Sequence, residues 1–234
     1  MGQKNTDTAV LIFSLSARRE AERKSLFDKK KSDGKFFDVL IGRTRKLAAK
    51  SGVDAFFIDE RQQQGHTFGQ RYANAFQQIF DQGYTKVVSI GNDSPDLTAD
   101  TLRKAIDEIQ YNDLVVGPSA DGGVYLLGMS ASLFDKQEFL NLPWLQECLY
   151  DTLNGSDYWK QGGSFSLDVL VDIDDRASLL EFIEVTSDGL LIDIILFHLS
   201  YLADTFAHPK DIQFKDADIA TLTLRGPPSF RKAA

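Results

Sequence analysis

Lys86-Val87-Val88-Ser89-Ile90-Gly91-Asn92-Asp93-Ser94-Pro95-Asp96-Leu97 decides how the rest of the chain is read. Val87 to Ile90 has the β-branched weight of a buried strand. The run halts at Gly91, and Asp93 and Asp96 follow in a Pro-containing loop, ahead of a Thr98 placed to cap the next helix. Open α/β sheets bind ligands just beyond the carboxyl ends of their strands. The loop therefore points acid groups at the usual site, with Asp93 as the first candidate. Strand-to-helix loops also carry Asn and Asp simply to make the turn, and the local pattern leaves both readings open. Asp96, one step into the turn, is read as helping to start the next helix.

Outward from that strand, Ala9-Val10-Leu11-Ile12-Phe13 is a continuous apolar run, as expected of a strand covered on both faces. The segment after it concentrates Arg18, Arg19, Arg23 and Lys24 at the strand's end. Such cations suit a phosphate-bearing ligand, Arg through its bidentate fork and Lys as a point charge. A solvated helix face with i,i+4 pairs such as Glu20–Lys24 is the competing reading. Lys29 to Lys35 has no apolar period and reads as an exposed loop. Phe37, Leu40, Ile41, Thr44 and Leu47-Ala48 fall at helical spacing, predicting a helix to about Lys50 with Gly52 past its end.

Val53 to Ile58 is a second strand, and Asp59 to His66 a polar loop. Phe68, Tyr72, Ala75, Phe76, Ile79 and Phe80 form the stripe of an amphipathic helix ended by Gly83, and its aromatics are read as core. A helix carrying Leu102, Ala105, Ile106 and Ile109 follows the opening strand. Next come a strand from Asp113 to Gly117, a loop from Pro118 to Gly123 and a strand from Val124 to Met129. This alternation predicts an α/β fold of three layers, α/β/α, with a mostly parallel, mixed sheet and right-handed crossovers.

Beyond Phe134 the pattern loosens. Pro143 is expected in the first turn of a helix through Leu149. Leu167 to Asp172 reads as a strand ending in Asp172-Ile173-Asp174-Asp175, Leu179 to Ile183 as a short helix, and Leu190 to Phe206 as a long apolar helix. Thr221 to Leu224 resembles a short β piece. The expected organisation is one α/β domain over residues 1–189, with residues 190–234 a C-terminal helical extension packed on it.

Of the 234 residues 43% are hydrophobic and 26% charged, and the net charge is −8. Such a surface repels polyanions, so neither a nucleic-acid polymer nor an anionic membrane is expected as partner. The single cysteine, Cys148, excludes an internal disulfide and a thiolate metal cluster, and fits a reducing compartment. No N-terminal run has the make-up of a secretory signal, and Leu190 to Leu202 is too short and too polar to span a bilayer. A cytoplasmic location is the expectation.

Three separated strand ends carry acids: Asp93, Asp121 and Asp174. His66, His198 and His208 are scattered without the spacing of a zinc site. Carboxylates without soft ligands suit a hard cation, and Mg2+ is typically held by one or two of them with phosphates and water completing the shell. Asp93 with Asp174 meets that requirement, with Mn2+ as the close substitute, and the cation would neutralise charge on a phosphate leaving group. In Asp121-Gly122-Gly123 the glycines permit a tight turn or a close approach to a ligand. The chain contains no Gly-x-x-x-x-Gly-Lys-Ser/Thr, no Gly-x-Gly-x-x-Gly and no Gly-x-Ser-x-Gly.

Two stretches together resemble a known signature: Gly91-Asn92-Asp93-Ser94-Pro95-Asp96-Leu97, then Gly117-Pro118-Ser119-Ala120-Asp121-Gly122-Gly123 with the strand after it. The resemblance is to an uncharacterised bacterial family of selenodomain-associated transferases. That family is similar to phospholactate guanylyltransferases and, more distantly, to nucleotide-diphospho-sugar transferases of the glycosyltransferase-A fold. Gln64-Gly65, Phe68-Gly69 and Arg71 match the family's segment before its third strand, and the likeness runs over roughly residues 8 to 185.

The resemblance implies a nucleotide bordered by the first-strand loop (Ser14, Ser16, Arg18, Arg23, Lys24) and by Gln64, Gly65, Gly69 and Arg71. It makes Asp93 the metal or phosphate acid, Asp174 the second metal ligand, and Asp121 a catalytic group. Pro95, Gly122 and Gly123 fall on the substrate side. The family's first loop usually carries Pro, Gly and a Lys-Thr-Arg triplet, whereas Ser16 to Leu26 has neither Pro nor Gly. Two functions follow. One is a Mg2+-dependent (or Mn2+-dependent) nucleotidyl- or glycosyltransferase taking a nucleotide or nucleotide-sugar and an unknown acceptor. The other is a degenerate member that binds a nucleotide or a protein partner without catalysis. The apolar C-terminal helix leaves a homodimer open as well.

Overall fold

β1 (Thr8–Phe13) lies inside a six-stranded sheet with the order β2-β1-β3-β5-β4-β6. The computed structural model describes residues 7–207. Its other strands are β2 (Asp54–Ile58), β3 (Lys86–Ile90), β4 (Leu114–Pro118), β5 (Val124–Ser130) and β6 (Ser164–Ser166). The helices are α1 (Ala17–Arg23), α2 (Lys30–Ala49), α3 (Phe68–Phe80), α4 (Ala99–Glu108), α5 (Lys136–Asn141), α6 (Leu149–Gly155), α7 (Asp157–Lys160), α8 (Arg176–Val185) and α9 (Gly189–Ala207). β1 pairs in parallel with both β2 and β3, and β4 with β6. β5 alone runs antiparallel, between β3 and β4. The sheet is thus mostly parallel and mixed, as the alternation of elements predicts.

Strand side chains alternate between faces, and both faces are covered. Ala9, Leu11, Val87 and Leu127 pack on Tyr72, Phe76 and Ile79 of α3. Val10, Ile12, Val88 and Ile90 pack on Ala48 of α2 and on Leu102 and Ala105 of α4. Burial on both sides explains the unbroken apolar runs in β1 and β3. A third cluster joins Ala21 of α1, Phe36, Phe37 and Leu40 of α2, Phe182 of α8, and Leu191 and Ile195 of α9. Capping fixes the helix starts. Thr67 and Gln70 form a reciprocal capping box at α3, and Thr98 accepts from Thr101 N at α4. Among the described residues no helix is long and apolar enough to cross a membrane.

Three expectations are corrected. The polar run Lys29 to Lys35 is not a loop, because α2 begins at Lys30. Asp33 decides this: it is 1% exposed, and its Oδ1 accepts from Leu26 N at 3.0 Å and Phe27 N at 2.8 Å. The helix expected over Pro143 to Leu149 does not form. α5 ends at Asn141, α6 starts at Leu149, and turns fill the gap. The Trp144 indole packs against Phe139, Tyr72 and Phe68, and its Nε1–H donates to Phe139 O at 2.8 Å, which draws the backbone out of helical register. The last strand sits earlier than expected, at Ser164–Ser166, and beyond it only a bridge from Leu170 to Ser119 continues the pairing. The Thr221 to Leu224 piece and His208 lie outside the described residues.

The turn over residues 143–148 presses on two glycines. A Cβ on Gly69 would lie 2.7 Å from Trp144 Cδ1, and one on Gly122 would lie 1.9 Å from Glu147 O, with Gly122 already at φ +85°. Gly122→Ala therefore combines a backbone clash with a left-handed residue and should cost at least about 1–3 kcal/mol. Gly42→Ala, inside α2 with nothing within 4 Å of the new Cβ, should add roughly 0.5–1 kcal/mol. Urea titration of the two variants measures both signs.

Asp33 yields a second expectation. Asp33→Ala strands two buried N–H groups and should cost about 1–3 kcal/mol, whereas Asp33→Asn keeps an acceptor oxygen for both and should be tolerated. Burial raises the Asp33 carboxyl pKa, against the pull of the Phe27 and Leu26 amides. The folded state therefore holds this proton more tightly than the unfolded one. Asp33's share of the stability falls as pH climbs from the unfolded carboxyl pKa through the raised folded value. Asp33→Asn should remove that component from a stability–pH profile measured by urea titration; an unchanged profile would refute the assignment.

Candidate functional site

The chain leaves β1 for β2 on one side and returns to β3 on the other, so the sheet has its topological switch point between β1 and β3. Crevices at such points, outside the carboxyl ends of parallel strands, are where α/β sheets bind ligands. A cleft of about 440 Å3 opens there. Phe13 and Ser14 from the end of β1 and Gly91 and Asp93 from the end of β3 line its floor.

Lys24, the residue that closes α1, reaches into the floor. Its Nζ lies 2.9 Å from Asp93 Oδ2, 2.6 Å from Asp174 Oδ1 and 3.4 Å from Ile173 O. Asp93 comes from the β3–α4 loop and Asp174 from the approach to α8, and Ile173 N donates to Asp93 O at 2.8 Å, joining the two loops. Gly91 gives the Asp93 carboxylate room, since a Cβ there would sit 2.6 Å from Asp93 Oδ1. The i,i+4 pairing expected for Glu20 and Lys24 is not what forms. Glu22 instead takes Arg18 (3.2 Å) and Arg19 (2.6 Å) on the solvent face of α1, while Lys24 turns inward.

Two acids not singled out in the sequence complete the cluster. Glu20 is 5% exposed and accepts from Leu15 N at 3.3 Å; burial raises its pKa, with the Lys24 charge working against that rise. Asp172 accepts from Ser94 Oγ, and burial followed by the Asp93 charge pushes its pKa up to about 8. Burial also works to raise Asp93, but the charge and hydrogen bond of Lys24 prevail and hold it below the ordinary carboxylate value. For Lys24 burial pulls downward, and Asp93, Asp174 and Glu20 together hold its ammonium above the usual lysine value. The result is a paired, ionised centre beside a carboxyl that keeps its proton near neutrality.

Of the residues picked from sequence, Ser14, Arg23, Lys24, Arg71, Asp93, Asp121, Gly123 and Asp174 line this cleft. The others stand back from it. Ser16 gives both N–H and hydroxyl to Glu60, at 2.7 and 2.6 Å, and Arg18 lies on the solvent face of α1. Gln64 borders a separate hollow, and its carbonyl accepts from Asn74 Nδ2 at 2.8 Å; Gly65 shapes the turn at φ +128°. Gly69 backs onto Trp144 and Gly122 onto Glu147. Pro95 lines another hollow, with Leu40 and Arg43. Asp96 accepts from Thr186 Oγ1 at 2.7 Å, fastening the β3–α4 loop to the segment before α9 rather than starting α4.

Asp121 is both a turn residue and a wall residue. Its Oδ1 accepts from Ser119 Oγ at 2.6 Å and Gly123 N at 2.9 Å, closing the turn between β4 and β5. Phe68, Tyr72 and Trp144 add an aromatic side to the cleft. The helical stripe puts Phe68 and Tyr72 in the core; they pack there and also line the cleft. Gln63, whose Nε2 donates to Ser14 O at 2.9 Å, ties the second polar loop to the first. Nothing in the local pattern marks Trp144 or Gln63, because each reaches the cleft through contacts with distant segments.

Comparison with known proteins adds the following. The family described as an uncharacterised protein conserved in bacteria (DUF2064) matches residues 39–146, a span that includes Asp93 and Asp121 but neither Lys24 nor Asp174. No curated protein matches the sequence. Rv0371c from Mycobacterium tuberculosis H37Rv is similar at 15% identity over 78% of this chain and 100% of its own, with a TM-score of 0.49. Its manganese complex gives 15%, 77%, 100% and 0.47. A crystal structure described as a "putative nucleotide-diphospho-sugar transferase" from Desulfovibrio desulfuricans G20 matches at 18% identity, over 85% of this chain and 98% of that one, with a TM-score of 0.70. At that likeness the chain shares its fold: a mixed α/β sheet of the nucleotide-diphospho-sugar transferase type.

Proposed function

We propose that the chain is a nucleotidyl- or glycosyltransferase that binds a nucleotide or nucleotide-sugar in the β1–β3 cleft and uses Mg2+ or Mn2+ held by Asp93 and Asp174. The observation that carries this reading is their convergence. Two carboxylates 81 positions apart in the sequence aim at one cationic point at the switch point of the sheet. The donor set fits the metal. Both ligands are hard oxygens, and among the described residues no group of three or more His, Cys, Asp or Glu stands ready to enclose an ion. Two carboxylates, with ligand phosphates and water completing the shell, are what Mg2+ typically takes. Such a cation supplies charge neutralisation at the phosphates.

The chain's own residues do the rest. Arg23, Lys24 and Arg71 are the cations of the cleft wall that meet phosphate oxygens, and Phe68 and Trp144 offer an apolar face to a base or sugar ring. In nucleotidyl transfer the acceptor oxygen bonds to the α-phosphorus as the bond from that phosphorus to the departing diphosphate oxygen breaks; in glycosyl transfer it bonds to the sugar's anomeric carbon as the bond from that carbon to the nucleotide's phosphate oxygen breaks. A hydroxyl acceptor also passes its proton to a base. Asp121, which lines the same cleft as Asp93, is the candidate base.

Thermal unfolding against nucleoside triphosphates and nucleotide-sugars, with and without Mg2+ or Mn2+, tests the binding step. A ligand at a hundred times its Kd adds roughly 2.7 kcal/mol, so at least one member should raise Tm in a metal-dependent way. Silence across the panel overturns the reading. A shift without turnover favours the non-catalytic alternative, which the altered first loop supports: Ser16 to Leu26 has neither Pro nor Gly, and Arg18 and Arg19 are engaged by Glu22. With a donor and acceptor in hand, Asp121→Asn should lower kcat by about 10^2–10^4 with little change in KM. Loss in KM alone would reduce Asp121 to a turn residue.

A further inference from the structure

We propose that the Lys24 ammonium is a lock on the Asp93–Asp174 cation site: it excludes a free divalent ion, and the site opens only when an anionic ligand draws the ammonium away. The metal-binding reading of these two carboxylates is the one proposed above; the exclusion itself rests on geometry.

A lysine ammonium has three N–H donors and no acceptor. Lys24 has three oxygens within reach, Asp93 Oδ2 at 2.9 Å, Asp174 Oδ1 at 2.6 Å and Ile173 O at 3.4 Å, so its donors are matched one for one. Its side chain is 15% exposed. A divalent ion bound to the same two carboxylate oxygens at roughly 2.0–2.2 Å competes with Nζ for their lone pairs and for the space beside them. Two cations sharing those oxygens also repel each other.

The lock also has a way to open that leaves the fold intact. The backbone after Lys24 is pinned: Asp33 holds the Leu26 and Phe27 amides, and Arg176 holds Asp28 at 2.9 Å. The Lys24 stem has four rotatable bonds, so Nζ can leave by side-chain rotation alone. The cleft wall beside it carries Arg23, which leaves the phosphate of an entering ligand near both cations. Moving Nζ onto that phosphate frees Asp93 and Asp174 together. Ligand and metal then strengthen each other's binding by the same factor, as linkage requires.

Loss of the free Mn2+ paramagnetic resonance signal reads the site directly. Wild type should bind no Mn2+ in the cleft on its own. Lys24→Met, which keeps the stem and removes the charge, should bind one ion at least about tenfold more tightly, and Lys24→Arg should stay closed, a difference within the usual range of coupling between sites. CMP, GMP, AMP and UMP chelate metal weakly and serve as the anionic probes; one of them should open wild type to Mn2+ and leave Lys24→Met unchanged. Stoichiometric Mn2+ binding by unliganded wild type, blocked by Asp93→Asn, overturns the lock whether or not Lys24→Met folds. If all four monophosphates leave wild type closed while Lys24→Met takes the ion, the opening half is overturned and Lys24 is a permanent replacement for the metal. The transferase reading fails separately, on the nucleotide panel, and that failure leaves the Mn2+ comparison standing.

Discussion

Three segments distant in the chain meet on the ammonium of Lys24: the end of α1, the loop after β3 and the approach to α8. Glu20, Asp93, Asp172 and Asp174 all border this point, and four carboxylates in one cleft repel one another. Three effects make the cluster tenable. Lys24 neutralises Asp93 and Asp174, Asp172 retains its proton to about 8, and Glu20 is held by a backbone amide while burial raises its pKa. The β1–β3 crevice supplies the location, and the Lys24 contact makes the acids compatible with burial there. Much of the surrounding detail serves the same end. Gly91 gives Asp93 space, Ile173 N binds the Asp93 carbonyl, and Ser94 reaches Asp172.

Where the sequence was legible, a buried surface imposed a local period. β1 and β3 read as strands because burial on both faces demands unbroken apolar runs, and α3 read as a helix because its stripe covers one face of the sheet. Asp93 was legible because strand, glycine, acid and proline fall in an order with a geometric meaning at a sheet's carboxyl edge. The start of α2 was not, because its decisive residue is an acid. Asp33 looks solvated in a run of lysines, and only the fold brings it to the Leu26 and Phe27 amides. The 143–148 turn was misread for the converse reason. Its local sequence tolerates a helix, and Trp144 is taken from it by aromatic partners on α3 and α5.

Asp121 shows why turn and site are poor alternatives. Its carboxylate closes the β4–β5 turn through Ser119 and Gly123, and the same turn sets it in the cleft wall. Gly122 contributes from behind, where the absence of a side chain lets Glu147 O approach. A glycine pair that seemed to offer either a tight bend or a close approach supplies both, and the close partner is the chain itself.

The division of the cleft bears on how far likeness to other proteins reaches. Asp93 and Asp121 lie within the span matched to the DUF2064 family, while Lys24, Asp172 and Asp174 lie outside it. The lysine that pairs with Asp93 comes from the stretch before the match, and Asp172 and Asp174 from the stretch after it. Electrostatics links the two halves. Asp93 is held below the ordinary carboxylate value in a partly buried place by a neighbour from the unmatched N-terminal segment. A replacement of Lys24 would remove the charge and the hydrogen bond that hold the Asp93 carboxyl down.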